Sequence, residues 1–285
     1  MNIMLVGCGE VGSAIKKIEE QANNTVYVFE KGNHPKVNDY EFCHICIPYS
    51  KQFERIVLEY MIINKPKYTI IHSTVPPGTT KNIENSTNMP IVHSFIRGVH
   101  PDLHNSIKTF VKYVGGEKKY VDKSIKHLES IGIPCHSLSD AKTSEYAKLL
   151  STTYYSLNIA YAKYCDNLCK KEGLKYEEVY TLPNITYNNG YKKLGKKHVI
   201  RPVLYPPKDG IGGHCCIENA IVLHKLNNDK LIKNILKLGK DSDLKFKDNA
   251  WLYCEHIVKE KSTSEIAKKF NVNKNIVEYY CKALK

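Results

Sequence analysis

Residues 1–30, MNIMLVGCGEVGSAIKKIEEQANNTVYVFE, decide the fold. Asn2–Val6 (NIMLV) is a short apolar run of the kind that forms a buried strand. Gly7-Cys8-Gly9-Glu10-Val11-Gly12 follows at once, and Ser13-Ala14-Ile15 opens a helix. G-x-G-x-x-G set between strand and helix is the dinucleotide-binding fingerprint. Gly7 permits the tight turn, Gly9 lets backbone approach a pyrophosphate, and Gly12 lets helix pack on strand. The amides at the helix start then face the phosphates with the positive end of the helix dipole. Thr25–Phe29 (TVYVF) is a second strand that ends at Glu30. A carboxylate there grips a ribose 2′-hydroxyl and repels a 2′-phosphate, so the expected cofactor is NAD. Lys31, next door, weakens that exclusion.

Downstream, strands are expected at 42–48, 68–73, 91–94, 110–114 and 133–136, with helices at 50–64 and 118–131. Strands alternating with helices argue for an α/β fold, a Rossmann-like doubly wound parallel sheet. Ligands of such sheets bind beyond the carboxyl ends of the strands. Those ends hold Gly7, Glu30, Pro48, Ser73 and Thr74, which join Gly9, Glu10, Val11 and Gly12 as expected cofactor contacts. Residues 1–138 are read as the NAD-binding domain.

From Ser139 the pattern changes. Residues 140–172 carry apolar and aromatic side chains at helical spacing over one long stretch closed by Gly173. A helix apolar over so much of its girth needs partners on more than one side. It is a candidate domain spine and dimer contact. A second helix is expected at 176–181, a loop-rich region from 183 to 215, and helix again at 217–227. Residues 139–245 are thus an all-α middle and dimerisation domain.

Residues 246–285 read as a small trihelical segment, with helices at 251–259, 263–270 and 274–284. Ile266, Ala267, Val272, Ile276 and Val277 sit where a helix-turn-helix needs its small core. Lys274, Asn275 and Lys282 supply a basic polar face for nucleic acid, although that face has no arginine. The alternative is a docking module that binds no nucleic acid.

Composition sets outer bounds. The chain has 285 residues, room for two domains and a small third, and a net charge of +13. That charge suits a polyanion, a phosphate-bearing substrate or a solvated lysine-rich surface, and does not choose among them. No apolar run approaches the ~18 residues of a membrane helix. The first residues enter a strand directly with no signal-peptide pattern, so a cytoplasmic location is expected. Ten cysteines in such a chain are expected as reduced thiols. Cys43 and Cys46 form C-x-x-C inside a strand-like run with no second ligand pair at zinc spacing, so no metal is expected. Cys165 and Cys169 read as core.

Gly210-Ile211-Gly212-Gly213-His214-Cys215 is the second chemical signal: adjacent glycines let backbone pass close to a ligand and hold a thiol out of the core. GCGEVG from Gly7, STVPPGTT from Ser73 and GIGGHC from Gly210, in that order, resemble the UDP-glucose/GDP-mannose dehydrogenase family. The long helix, with Lys148-Leu149 and Leu157-Asn158-Ile159-Ala160, is similar to that family's central helix. The resemblance covers roughly residues 1–224. It implies a Rossmann domain, a helical middle domain, a homodimer along the long helix, NAD, and a small-molecule substrate of the nucleotide-sugar kind. It places Cys215 on the thiol nucleophile, Lys148 on the lysine that handles the alcohol proton and the oxyanion, and Thr74 beside cofactor and reacting carbon. Lys148 or His214 would activate the thiolate.

The departures are as informative. The family's asparagine one turn after the lysine is Thr152, and its aspartate four residues after the cysteine is Asn219. No glutamate stands near His93-Ser94-Phe95-Ile96-Arg97-Gly98, and the helix-turn-helix segment stands where a third domain would. Fewer carboxylates leave fewer general bases for thioester hydrolysis, so one hydride transfer is expected rather than two. His93, Arg97, His100 and Arg201 are candidates for an anionic substrate, as are Thr152 and Asn219 by position; loop surface and helix capping are the bland alternatives. Cys216 is a candidate to resolve an oxidised Cys215 or, more simply, a buried wall. Residues 187–191 read as a lining loop. Two functions follow: an oxidoreductase, or a cofactor-sensing protein that binds nucleic acid through its tail.

Overall fold

The computed structural model describes residues 1–30, 33, 35, 37, 39–98, 102–206, 214–227, 229–238, 261–270, 274 and 277–278. The chain divides into two compact units, Met1–Lys148 and Leu149–Lys285.

In the first unit the strands are β1 (Asn2–Val6), β2 (Thr25–Phe29), β3 (Phe42–Ile45), β4 (Tyr68–Ile71), β5 (Ile91–His93), β6 (Lys112–Gly116) and β7 (Cys135–Leu138). They form one sheet in the order β2-β1-β3-β4-β5-β6-β7. Every neighbouring pair is parallel except β5–β6, which is antiparallel. The helices are α1 (Glu10–Gln21), α2 (Phe53–Asn64), α3 (Thr79–Thr87), α4 (Leu103–Thr109), α5 (Lys118–Ser130) and the start of α6 (Ala141–Glu172).

The central strands β1, β3 and β4 are buried on both faces, which is why they read as largely apolar runs. Alternate residues of β1 go to opposite sides. Ile3 and Leu5 pack with Ile15 and Ile18 of α1 and Val121 and Leu128 of α5. Met4 and Val6 pack with Phe53, Val57 and Met61 of α2 and Ile83 of α3. Helices on both faces make the sheet doubly wound, as expected. Helices α3 and α4 were not legible in the sequence; both are short, and α3 follows a proline pair.

The regular elements of the second unit's described residues are all helical. After α6 come a π-helical turn (Glu177–Thr181), α7 (Leu182–Lys193), a 3₁₀ turn (Lys197–Val199), α8 (His214–Asn227), α9 (Lys230–Leu238) and α10 (Thr263–Phe270). Helix α7 corrects the expectation of a loop from residue 183 onward. Pro183 lies in its first turn, where a missing N–H costs no hydrogen bond. Residues 187–191 are therefore helical, and Asn188 is buried, with its amide bracketing the Arg201 backbone at 2.8 and 2.9 Å. Helix α10 begins with a capping box: the Ser262 backbone N–H donates to Glu265 at 2.8 Å, and the Glu265 N–H donates back to the Ser262 hydroxyl at 3.3 Å. Of the expected helix at 274–284, Lys274, Val277 and Glu278 are helical; the expected helix at 251–259 lies outside the described residues. Among the described residues no helix is long and apolar enough to cross a membrane.

Candidate active site

The glycine turn has the geometry its sequence requires. Gly7 adopts φ +86°, a left-handed conformation open to glycine. A Cβ on Gly12 would stand 2.0 Å from the Gly7 carbonyl oxygen, so α1 crosses the turn at backbone contact. Among the described residues a Cβ on Gly9 would meet no atom within 4 Å. Gly9 caps α1 without a side-chain hydrogen bond, leaving first-turn amides of the kind that hold phosphate. Glu30, at the end of β2, accepts a hydrogen bond from the Cys8 N–H at 3.1 Å. The acid and the phosphate turn are thus in contact.

The neighbouring strand ends join this turn through hydrogen bonds. The Ser73 hydroxyl, after β4, donates to the Ile47 carbonyl after β3 at 2.6 Å. His93, at the end of β5, lies 3.1 Å from the Ser73 carbonyl through Nε2 and 2.8 Å from the Ser144 hydroxyl through Nδ1. Burial pushes His93 down to about 3, so the ring is neutral at physiological pH and donates from Nε2. Thr74 is half-buried and Pro48 exposed, both at strand ends as expected.

The start of α6 binds this edge at three places. Ser144 meets His93. Glu145 accepts from the Gly78 N–H at 2.5 Å, the Thr80 N–H at 2.9 Å and the Thr80 hydroxyl at 2.6 Å. It therefore supplies the cap that α3 lacks from its own Gly78. Burial raises the Glu145 carboxyl despite these donors. One turn on, Lys148 Nζ donates to the Ile96 carbonyl at 2.9 Å. Sequence reasoning found Lys148 and missed Glu145; the signal was an acid three positions before the lysine on the same helical face.

The segment after β5 is held from a second direction. Lys112 of β6 is buried and donates to the carbonyls of Ser94 at 2.6 Å and Phe95 at 3.1 Å. Burial brings its ammonium down to about 7. Arg97 lies over Phe110 and Tyr113, 5.6 and 4.9 Å from their ring centroids, and donates to the Val111 carbonyl. His100 lies outside the described residues.

In the second unit Cys215 falls in the first turn of α8; its side chain and residues 207–213 lie outside the described residues. Cys216 is buried, and its carbonyl accepts from the Ser156 hydroxyl at 3.2 Å, which joins α8 to α6. Thr152 is half-buried, and its carbonyl takes a bond from the same hydroxyl at 3.1 Å. Asn219 is buried, with an amide nitrogen that has no hydrogen-bond partner among the described residues. Arg201 stacks on Tyr187 at 3.6 Å from the centroid. Lys274 pairs with Glu278 at 3.4 Å, and Asn275 and Lys282 lie outside the described residues.

This architecture is that of Rossmann-fold dehydrogenases. Over its N-terminal and central parts the chain is similar to the UDP-glucose/GDP-mannose dehydrogenase family. It is 28% identical over 181 residues to a UDP-N-acetyl-D-mannosamine dehydrogenase of Methanocaldococcus jannaschii, an alignment covering 61% of this chain and 39% of that one. It is 26% identical over 177 residues to a UDP-glucose 6-dehydrogenase of Campylobacter jejuni, covering 58% and 41%. The chain thus aligns with about two fifths of the length of these curated relatives. Among solved structures, a UDP-D-ManNAc dehydrogenase of Pyrococcus horikoshii superposes with TM-score 0.68 at 17% identity, over 95% of this chain and 73% of that one. A 3-hydroxyisobutyrate dehydrogenase of Mycobacterium tuberculosis superposes with TM-score 0.64 at 13% identity, over 83% and 91%. These likenesses establish the fold. No protein-family model matches the chain.

Proposed function

We propose that the chain is an NAD-dependent oxidoreductase acting on the CH–OH group of a nucleotide sugar or a smaller sugar-like alcohol. The observation that carries this reading is the hydrogen-bonded path from Ser73 through His93 and Ser144 to the helix turn bearing Lys148. It fixes one amine at the strand ends that also carry the dinucleotide turn. Gly7, Gly9 and Gly12, with the amides of Glu10 and Val11, would hold the pyrophosphate; Glu30 would hold the ribose; Pro48, Ser73 and Thr74 would flank the nicotinamide. When bound, NAD supplies the hydride acceptor.

Lys148, as the free amine, takes the hydroxyl proton as hydride leaves the same carbon, so the alcohol loses two electrons and two hydrogens and becomes a carbonyl. As ammonium it then stabilises the oxygen. The Cys215 thiolate adds to a resulting aldehyde. Thr152 and Asn219, in place of the asparagine and aspartate of the resembling family, favour stopping after one hydride. Arg97, His100 and Arg201 remain candidates for the substrate's anionic groups. Residues 1–138, 139–245 and 246–285 are proposed as cofactor, dimerisation and tail domains, acting in the cytoplasm. The exposed Leu150, Tyr154, Tyr155, Tyr161, Tyr164 and Leu168 of α6 support a homodimer along that helix.

The test follows NADH absorbance while nucleotide sugars are screened with NAD. Turnover that disappears in Lys148→Met and weakens in Cys215→Ser supports the reading. No turnover with any sugar, alongside unaltered NAD binding in both variants, removes it.

A second reading rests on the capped helix α10, in which Ile266 and Ala267 are buried. In it the Rossmann unit senses NAD or a metabolite, and the tail binds nucleic acid through Lys274, Asn275 and Lys282. Binding that weakens steeply with salt supports it. A titration with no binding, with and without NAD, rejects it.

A further inference from the structure

On the α1/α5 side of the sheet lies a line of polar side chains inside an apolar core. Glu19 of α1 and His44 of β3 have fully buried side chains, and His127 of α5 is 2% exposed. His44 Nε2 is 2.9 Å from Glu19 Oε1, and His127 Nε2 is 2.7 Å from the same oxygen. The other carboxylate oxygen accepts from the Asn24 amide at 2.6 Å. His44 Nδ1 is 2.8 Å from His72 Nε2, and His72 Nδ1 is 2.9 Å from the Ser94 carbonyl.

The protons in this chain can be counted. Three contacts in series, Ser94 to His72, His72 to His44 and His44 to Glu19, each need one proton between the two heavy atoms. A carbonyl and a carboxylate can only accept, and a neutral imidazole carries one N–H. Two neutral rings supply two protons for three contacts, so one contact would set bare lone pairs against each other in a fully buried site. Leaving that contact unmade costs more than an ordinary hydrogen bond gains.

A metal ion is the other electrophile that could join these atoms, since His44, His127 and Glu19 offer ligand atoms within 4.8 Å of one another. The geometry is against it. Zinc wants four donors at about 2.0–2.2 Å and an acceptor behind each ring. Here the contacts have hydrogen-bond lengths, the described residues offer no fourth donor to this group, and His127 Nδ1 is buried without a partner. A neutral His127 that donates from Nε2 leaves only a lone pair at Nδ1.

We infer that the folded Rossmann unit holds one extra proton along Glu19, His44 and His72, and takes that proton up when it folds at neutral pH. The cluster is then an imidazolium–carboxylate pair with one neutral ring on each side. Burial, and after it the Lys112 charge, drives His72 well below the ordinary histidine range; burial also lowers His44, but there the hydrogen bond and charge of Glu19 oppose it, which places the extra proton on the His44 side. Burial by itself would raise the Glu19 carboxyl; hydrogen bonds from His127 and His44 and the charge on His44 more than offset that and hold it well below the usual carboxylate range. The other groups facing the line are Asn24, His93, Lys112 and Cys46; burial raises the Cys46 thiol to about 12, so it stays protonated.

The extra proton has a structural job. His72 directly precedes Ser73 and Thr74, and the Ser94 carbonyl opens the segment gripped by Lys112 and Lys148. The line therefore ties α1, α5 and three strand ends into the support of the candidate site. Above about pH 6.5 an unfolded chain keeps no such proton, because free histidine is neutral and free glutamate ionised. The folded form keeps one, so this cluster's contribution falls about tenfold in the folding equilibrium constant per pH unit. Lys112 works in the opposite sense, so only a comparison of variants isolates the cluster.

The experiment compares the full chain with Glu19→Gln. A glutamine amide donates to His44 Nε2 and supplies the third hydrogen without titrating. Denaturant unfolding from about pH 7 to 9 should show the two folding constants converging about tenfold per pH unit. Nitrogen-15 spectra of the histidines in the unaltered protein give a readout that needs no variant. One imidazolium should persist near pH 8, where free histidine is neutral. A stability difference that does not change with pH, twelve neutral rings at that pH, or one equivalent of tightly held metal that Glu19→Gln loses would each overturn the inference.

Discussion

Lys148 Nζ donates to the Ile96 carbonyl oxygen across 2.9 Å. That oxygen is the third in a row to be held: Lys112 bonds the carbonyls of Ser94 and Phe95. Two amines thus fix the stretch where the resembling enzymes carry a glutamate. The stretch is positioned by lysine donors and offers backbone oxygens, which cannot act as general bases near neutral pH. In the proposed reaction the proton transfer is therefore assigned to Lys148.

Replacing Lys148 by Met should remove the base while keeping the helical side chain's bulk. We expect turnover to fall about 10²–10⁴-fold with the fold intact, the usual scale for loss of a positioned proton acceptor. Lys148→Arg keeps the bond to Ile96 but loses the neutral amine, and should be nearly as slow. Steady-state rates beside circular dichroism check this; an Arg variant near full activity would contradict it.

Two glycines of one motif should behave differently. In Gly12→Ala the new methyl would meet the Gly7 carbonyl at 2.0 Å, so turn and helix must part. We expect a loss of about 1–3 kcal/mol in stability and no NAD binding. In Gly9→Ala the methyl meets no atom of the described residues within 4 Å, so stability should hold and only cofactor affinity should drop. Thermal melts with and without NAD separate the two; equal melting losses in both would refute the distinction.

How much of this was legible from the sequence depends on range. The strand–turn–helix of residues 1–30 is local, and the structure has β1, α1 and β2 where the sequence puts them. Lys148 was found through likeness to a family, not through a local pattern. Glu145 was missed because its partners, Gly78 and Thr80, lie more than sixty residues away in the chain. The overlooked cue for the buried line was two histidines inside apolar runs, His44 in FCHIC and His72 in TIIHS. A polar ring in a strand buried on both faces must find partners. Helix α7 was hidden by Pro183 and by Asn188-Asn189-Gly190, which favour turns unless tertiary bonds such as Asn188 to Arg201 override them. Cys215, the other half of the redox proposal, has a described backbone only.

Lys112 gives a pH dependence with a definite sign. Its folded pKa, about 7, lies below the ordinary 10.5. Between these values the unfolded chain binds the extra proton, so this group's contribution raises stability with pH from about 7 upward, about tenfold in the folding constant per unit. Below that window the ammonium is charged in both states and its burial cost is fully felt. Lys112→Met should remove this slope and leave the Ser94 and Phe95 carbonyls short of a donor, so the variant loses ground to the unaltered protein steadily as pH rises through the window. Denaturant melts of both proteins across that range check it; an unchanged slope would show that Lys112 stays charged.

In the proposed reading, cofactor choice turns on Glu30. Its carboxylate lies at the end of β2, accepting from the Cys8 N–H at 3.1 Å, where a ribose 2′-substituent would arrive. A 2′-phosphate would meet a like charge at close range, worth between about 1 and 4 kcal/mol from bulk water to a protein surface. Glu30 is exposed, so the lower end applies. Glu30→Gln keeps an oxygen for the Cys8 N–H and deletes the charge, so the turn should persist while the preference for NAD over NADP falls about tenfold. Fluorescence titrations with both cofactors decide the matter. Equal loss of affinity for the two would mean that Glu30 shapes the turn and does not read the ribose.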